Sequence, residues 1–385
     1  MRPIVALPYV LVAFAAVSAS QSGCSGNNGG SGFTDMEGGT GSGSGSGGTS
    51  GGSSGGTSGG SSGGSSGGGF DSDGGLLGDG SSPTGPEAGT TVTTTVYAHT
   101  DNTLYSVDPK SQAVTMIGPM VGTSDSSTDG TITDLAVDGS GGVWVNTESV
   151  VYKAMLPSAG TGTVQLVKVT SISSSSKFYA LAFAPAGALD PNNETLVGGD
   201  STGSLWSINT TSGTATNLGN FGADPTQTGY TLELSGDIVF YNDSNNKPTG
   251  LATIRSCGIP SGSKYVTCGK DFLAGVDMTK LKAAYGGTAQ TTLLGGIYGG
   301  SGNSLGNGTG FKDVFGLGAW DSTVFGFTRS TTGQTAPQLI TIDTTSGAGT
   351  PVSGATFSFT NGWSGAGVTT KVTITVAPPP PPPAQ

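Results

Sequence analysis

LYSVDPKSQAVTMIG, residues 104–118, runs as a short alternating strand, reaches Asp108, turns through Pro-Lys-Ser and resumes as a second short strand. The same order of events recurs in LWSINTTSGTATNLG, residues 205–219, and LITIDTTSGAGTPVSG, residues 339–354. An apolar alternation that ends in Asp or Asn before a tight turn is a hairpin signal, because the short polar side chain caps its own turn. Two looser copies, VYKAM from Val151 and LAGVD from Leu273, bring the repeats to five. Self-similarity at such a period points to a repeat architecture in which one supersecondary unit is copied around or along an axis.

A second pattern precedes most copies of the first: ITDLAV from Ile132, FYALAF from Phe178, VFGLGA from Val314 and WSGAGV from Trp363, with YTLELS from Tyr230 a weaker fifth. Its fifth position is small in the four clear copies (Ala136, Ala182, Gly318, Gly367), which suits strands whose backbones approach closely near an axis. The copy at Leu104 has no inner strand before it, and the inner strand at Trp363 has no outer strands after it. Joining the two completes a unit and leaves no open edge. The expected fold is therefore an all-β propeller of five blades, with six as the alternative count, closed by pairing of its N- and C-terminal strands. A pair of β-sandwiches or a β-solenoid are the competing architectures. Over residues 91–377 the chain resembles the bacterial secreted propellers with degenerate WD-like or YVTN-like repeats. Those signatures are loose, and the resemblance transfers no functional residue.

Ahead of this domain lie three distinct pieces. MRPIVALPYVLVAFAAVSAS carries one positive charge, an apolar run and then small residues, the layout of a secretory signal, read here as residues 1–23. Residues 24–90 are almost wholly Gly, Ser and Thr, with too little apolar surface to offset the entropy of ordering them. As a coil this segment would reach roughly 45 Å. Cys24 sits at the junction. Cys257 and Cys268, in RSCGIPSGSKYVTCGK, are placed to close a hairpin as a disulfide, which leaves Cys24 as the odd cysteine. Its position resembles the lipid-attachment cysteine of bacterial lipoproteins. Ser22 and Gly23 match that family's pattern, whereas Gln21 stands where an apolar residue is usual. The resemblance implies acylation at Cys24 and residence on the outer membrane or cell surface, with the membrane engaged through that anchor alone. Residues 378–385 hold six consecutive prolines, a short stiff tail.

The inventory narrows the chemistry. A net charge of −11 and the absence of a basic stripe exclude nucleic acid as a partner. One histidine, His99 in VYAHTDN, rules out a multi-histidine metal site; it reads as an ordinary strand side chain. Arg255 and Arg329 are the only arginines beyond residue 2, so the arginine cluster of sialidase-like propellers cannot be assembled. DGSGGVW from Asp138 and GDSTGSLW from Gly199 resemble the acidic turn of those enzymes, but with different glycine spacing, and read as hairpin turns whose tryptophan packs between blades. DSDGGLLGDG from Asp71 and TSDSSTDG from Thr123 have the oxygen density of a calcium loop without the closing Glu of an EF-hand. GGSGNSLGNGTG, residues 299–310, lacks a P-loop lysine and reads as a loop.

No catalytic residue, protein-ligated metal or cofactor is assigned, with calcium as the one candidate ion. The leading expectation is a non-enzymatic, monomeric envelope lipoprotein that displays a propeller to bind an envelope or extracellular protein or glycan. The alternative is a calcium-dependent propeller hydrolase or lactonase. The third and fourth repeat intervals are the longest, and their excess falls in the hairpin bracketed by Cys257 and Cys268 and in residues 280–310. Tyr265, Tyr285 and Tyr298 in these segments are the expected contact residues, since tyrosine offers large area with few rotamers.

Overall fold

The computed structural model describes residues 95–122, 130–301, 304–329, 337–353 and 362–375. Cys24, the Gly/Ser-rich segment, the acidic stretch from Asp71, most of that from Thr123 and the proline tail lie outside the described residues.

Chain order gives β1 (Val96–His99), β2 (Thr103–Val107) and β3 (Val114–Val121). Next come β4 (Asp134–Val137), β5 (Val143–Asn146), β6 (Val150–Met155) and β7 (Val164–Ser171), followed by β8 (Phe178–Ala184), β9 (Thr195–Asp200), β10 (Ser204–Ile208) and β11 (Ala215–Asn220). The long strands β12 (Tyr230–Asp243), β13 (Pro248–Gly258) and β14 (Thr267–Val276) lead into helix α1 (Met278–Tyr285) and β15 (Leu294–Ile297). The chain ends with β16 (Val314–Trp320), β17 (Thr323–Thr328), β18 (Leu339–Ile342), β19 (Gly349–Pro351), β20 (Gly365–Val368) and β21 (Thr373–Ile374).

Hydrogen bonding sorts all but β21 into five four-stranded antiparallel groups, β20-β1-β2-β3, β4 to β7, β8 to β11, β12 to β15 and β16 to β19, and β21 adds to β12 in parallel at Asn242 and Asp243. The first two merge into one eight-stranded sheet because their outermost strands, β3 and β7, pair in parallel at Met120 and Val121. The innermost strands close a ring, β4 against β8, β8 against β12, β12 against β16, β16 against β20 and β20 against β4. This is a β-propeller, and its closure is the expected one: β20 pairs with β1 from Gly365 opposite His99 to Val368 opposite Val96. Trp363, fully buried just before β20, locks that joint by edge-on contact with Tyr105 at 5.2 Å and Phe327 at 5.3 Å.

All five repeats read from the sequence fall on the third strand of a group, namely β2, β6, β10, β14 and β18. The turns of the three clear copies, after β2, β10 and β18, are built alike. Asp108 Oδ1 accepts the Lys110 and Ser111 amides, Asn209 Oδ1 those of Thr211 and Ser212, and Asp343 Oδ1 those of Thr345 and Ser346. The four clear inner-strand copies are β4, β8, β16 and β20. The fifth is corrected: Tyr230–Ser235 begins β12 but pairs outward with residues 254–258, and the stretch equivalent to ITDLAV is SGDIVF, residues 235–240. A bulge between Leu234 and Ile238 separates the two parts of β12. Cys257 and Cys268 lie opposite one another on β13 and β14 and form the disulfide. Among the described residues no helix is long and apolar enough to cross a membrane.

Candidate functional site

The inner edge of each innermost strand has no further strand to pair with, so its amides need other acceptors. Two carboxylates at the same strand position supply them. Asp134 Oδ2 on β4 accepts the Leu181 amide of β8 at 2.6 Å, and Asp237 Oδ2 on β12 accepts the Leu317 amide of β16 at 2.6 Å. Asp271 Oδ2 accepts the Val314 amide at 2.7 Å. All three carboxyls are wholly buried. Burial holds Asp134 and Asp237 well above the usual carboxylate range, and the charge of Asp237 adds to the shift on Asp134. His99 is buried beside them and is held neutral, its pKa lowered to about 4 by burial. Its Nδ1 contacts the Thr100 carbonyl oxygen at 2.6 Å, while Nε2 and Asp134 Oδ1 converge on Gly365 without a hydrogen-bond partner.

This cluster was missed in the sequence because β12 was read out of register. Aligning SGDIVF with ITDLAV would have placed Asp237 under Asp134. Neither carboxyl is open to solvent, and both are engaged by backbone amides. The cluster therefore acts as the acceptor set of the ring rather than as a site that a substrate can reach.

Asp271 makes the stability of the ring pH-dependent. Burial pushes its carboxyl up to about 7, with the Asp313 carboxylate reinforcing and Arg255 opposing the shift. The folded state therefore holds a proton that the unfolded chain releases above about pH 4. This contribution is full in acid and is lost as pH rises toward 7. His99 works in the opposite sense, since its folded pKa is depressed. Asp271→Asn keeps an acceptor for Val314 and replaces the acid proton with an amide. Relative to the parent, the variant should gain stability steadily between pH 4 and 7 in denaturant titrations. A parent-to-variant difference independent of pH would refute the assignment.

The open surface offers a different site. A cleft of about 670 Å³ lies between the β4 to β7 and β8 to β11 groups, walled by Trp144, Asp190, Asn193, Glu194 and Asn209, with Tyr285 of α1. A second hollow of about 390 Å³, lined by Ser207, Ser212, Thr214 and Thr216, shares Tyr285, Asn209 and Thr195 with it. Neither lining contains Lys or Arg. The walls are held by local bonding: Asp138 Oδ2 accepts the Trp144 indole N–H at 2.9 Å, and its other oxygen accepts the Ser140 and Gly142 amides. Trp144 packs edge-on against Phe183 of the next group at 5.4 Å, and Asp200 binds Trp206 in the same way. Both acidic turns are thus the tryptophan-holding hairpins expected from the sequence. Glu194 ties the groups together through the Gly139 amide and the Thr370 hydroxyl.

The three tyrosines part company. Tyr285 is 39% exposed at the cleft, and Tyr265 is 61% exposed at the β13–β14 turn. Tyr265 precedes β14, a strand of roughly 30 Å at 3.3 Å per residue, whereas Tyr285 ends the helix that follows it. Tyr298 is a correction. It is 1% exposed, because the segment after β15 packs into the core shared with Tyr241 and Leu339, with Gly347 close to its carbonyl. Among the described residues, the one grouping of three metal-ligating side chains is Glu233 with Cys257 and Cys268, whose sulfurs are spent on the disulfide.

No protein-family model matches the chain, and no curated protein does. Solved structures similar to it include a protein of unknown function from Bacteroides caccae, at 7% identity and TM-score 0.33, covering 71% of this chain and 98% of that one. Another is the Dos1 propeller, at 10% identity and TM-score 0.30, covering 70% and 65%. A third, an unknown-function protein from Bacteroides thetaiotaomicron, matches at 15% identity and TM-score 0.28 over 45% of this chain and 44% of that one.

Proposed function

We propose that this chain is a non-enzymatic display module of the cell envelope: a five-bladed propeller, anchored through an acylated Cys24, that binds a neutral glycan in the cleft beside Tyr285. The observation that carries the reading is the lining of that cleft. Carboxylates, amides and hydroxyls can exchange hydrogen bonds with sugar hydroxyls, an exposed tyrosine ring offers an apolar face, and the carboxylates Asp138, Asp190 and Glu194 in a lining without Lys or Arg disfavour anionic ligands. The anchor is supported by the odd cysteine at the junction of an apolar leader and a Gly/Ser-rich segment. It stands or falls with the mass of the mature N-terminus, which should carry acyl chains on Cys24.

The cleft is tested on a panel of neutral and anionic oligosaccharides. Binding is expected to favour neutral glycans and to weaken by roughly tenfold in Tyr285→Ala, the scale of losing one well-packed aromatic contact. Because Tyr285 is partly exposed at the end of α1, the melting temperature should barely move. Preference for anionic chains, or undiminished binding by Tyr285→Ala, would remove the cleft from the reading.

A further inference from the structure

Among the described residues nine large apolar side chains are exposed. One group, Ile259, Tyr265 and Val266, crowds the turn that joins β13 to β14. Their exposures are 56%, 61% and 50%. Singly exposed apolar residues are unremarkable, but three within eight residues on one projecting turn form a patch. The turn is carried beyond the rest of the sheet by the outer parts of β12, β13 and β14, where Tyr230 is still paired with Gly258. The disulfide staples it at its base. Lys264 on the turn and Lys270 on β14, two residues past the staple, are exposed, and residues 259–270 contain no Asp or Glu, in a chain of net charge −11. The nearest carboxylate across the staple is the half-buried Glu233.

We infer that this hairpin tip inserts into an anionic lipid surface, with Ile259, Tyr265 and Val266 entering the headgroup boundary and Lys264 and Lys270 lying against phosphates. Two features favour lipid over a protein partner. Three side chains on a convex turn fall well short of the roughly 800 Å² per partner of a stable protein interface. The pairing of an amphipathic tyrosine and apolar wedges with flanking lysines matches the chemistry of the bilayer boundary, where each lysine near an anionic surface adds to binding. The inference is independent of the acyl anchor and adds a membrane contact that the sequence reading did not contain.

The test uses residues 24–385 carrying Cys24→Ser, so that neither an acyl group nor the apolar leader contributes, in co-sedimentation with phosphatidylcholine vesicles with and without phosphatidylglycerol. The chain is expected to sediment with the anionic vesicles. The triple substitution Ile259→Ser, Tyr265→Ser, Val266→Ser should reduce partitioning by roughly tenfold or more, and Lys264→Gln and Lys270→Gln by roughly fivefold each. The triple variant should melt with the parent, since the tip buries none of these side chains. As a second readout, Ile259→Trp should shift its fluorescence to the blue on addition of anionic vesicles. The inference is overturned by sedimentation that ignores the triple substitution, by sedimentation that ignores phosphatidylglycerol, or by no vesicle binding in either chain, including a tip that captures only a soluble protein.

Discussion

Deletion of residues 361–377 is expected to abolish cooperative folding of the entire domain rather than to fray its end. The segment supplies β20, the innermost strand of the group that otherwise consists of β1, β2 and β3, and it places β20 between β16 and β4 in the ring. Trp363, Val368, Val372 and Ile374 are all buried. At about 1.5–3 kcal/mol for each large apolar side chain, their loss is on the order of 6–12 kcal/mol. That is comparable with the whole stability of a typical domain, roughly 5–15 kcal/mol. The inward edge of β1 would also be left open to other chains.

Circular dichroism melts should show no transition in the deletion variant, while deletion of residues 25–70 should leave the melting temperature unchanged. A permuted chain in which residues 362–375 are moved ahead of residue 95 supplies the control. Val368 pairs with Val96, so residues 369–375 and a link from residue 375 to residue 95 join β20 to β1 as a hairpin with a long loop. Recovery of a single transition in the permutant would show that the ring needs the strand and not the original chain end. A deletion variant that melts like the parent would mean that β20 does not close the propeller.

What could be read in advance follows from how local each feature is. The third strands were legible because a short alternation and an Asx-capped turn lie within fifteen consecutive residues, as in 205–219. Closure was legible because the two incomplete units at the chain ends are complementary. The axial acceptors were not, since Asp134 and Asp237 meet only when two distant strands are placed in register, and the long outer part of β12 drew the alignment to Tyr230. His99 looked ordinary because nothing near it in the sequence reports that Gly365 brings it against Asp134. Exposure of the tyrosines depended on packing between groups. Tyr285 ends a helix at a cleft, whereas Tyr298 is sealed at the seam with the β16 to β19 group. The cleft itself has walls from three groups and leaves no contiguous motif.

Gly365→Ala should be strongly destabilising for a change of one methyl group. A Cβ at this position would lie only 2.1 Å from Asp134 Oδ1, 2.6 Å from His99 Nε2 and 2.9 Å from the Asp134 Cα. Neither neighbour can retreat easily: the other oxygen of Asp134 is held by the Leu181 amide, the imidazole is fully buried, and the Cα belongs to the ring itself. Overpacking of about 1–3 kcal/mol combines with the loss of a buried hydrogen bond of about 1–3 kcal/mol. The melting temperature should therefore fall by roughly 10 °C, at about 2–4 °C per kcal/mol for a large domain. Gly269→Ala, where the nearest atom to the new Cβ is 3.8 Å away, should be nearly silent. The source of the damage is separable by combining Gly365→Ala with Asp134→Ala, which removes the carboxyl that the methyl meets but leaves the Leu181 amide without its acceptor. If the clash with the carboxyl dominates, the double variant should be more stable than the sum of the two single losses by on the order of 1 kcal/mol or more. Strict additivity would instead place the cost in the backbone approach of β20 to β4.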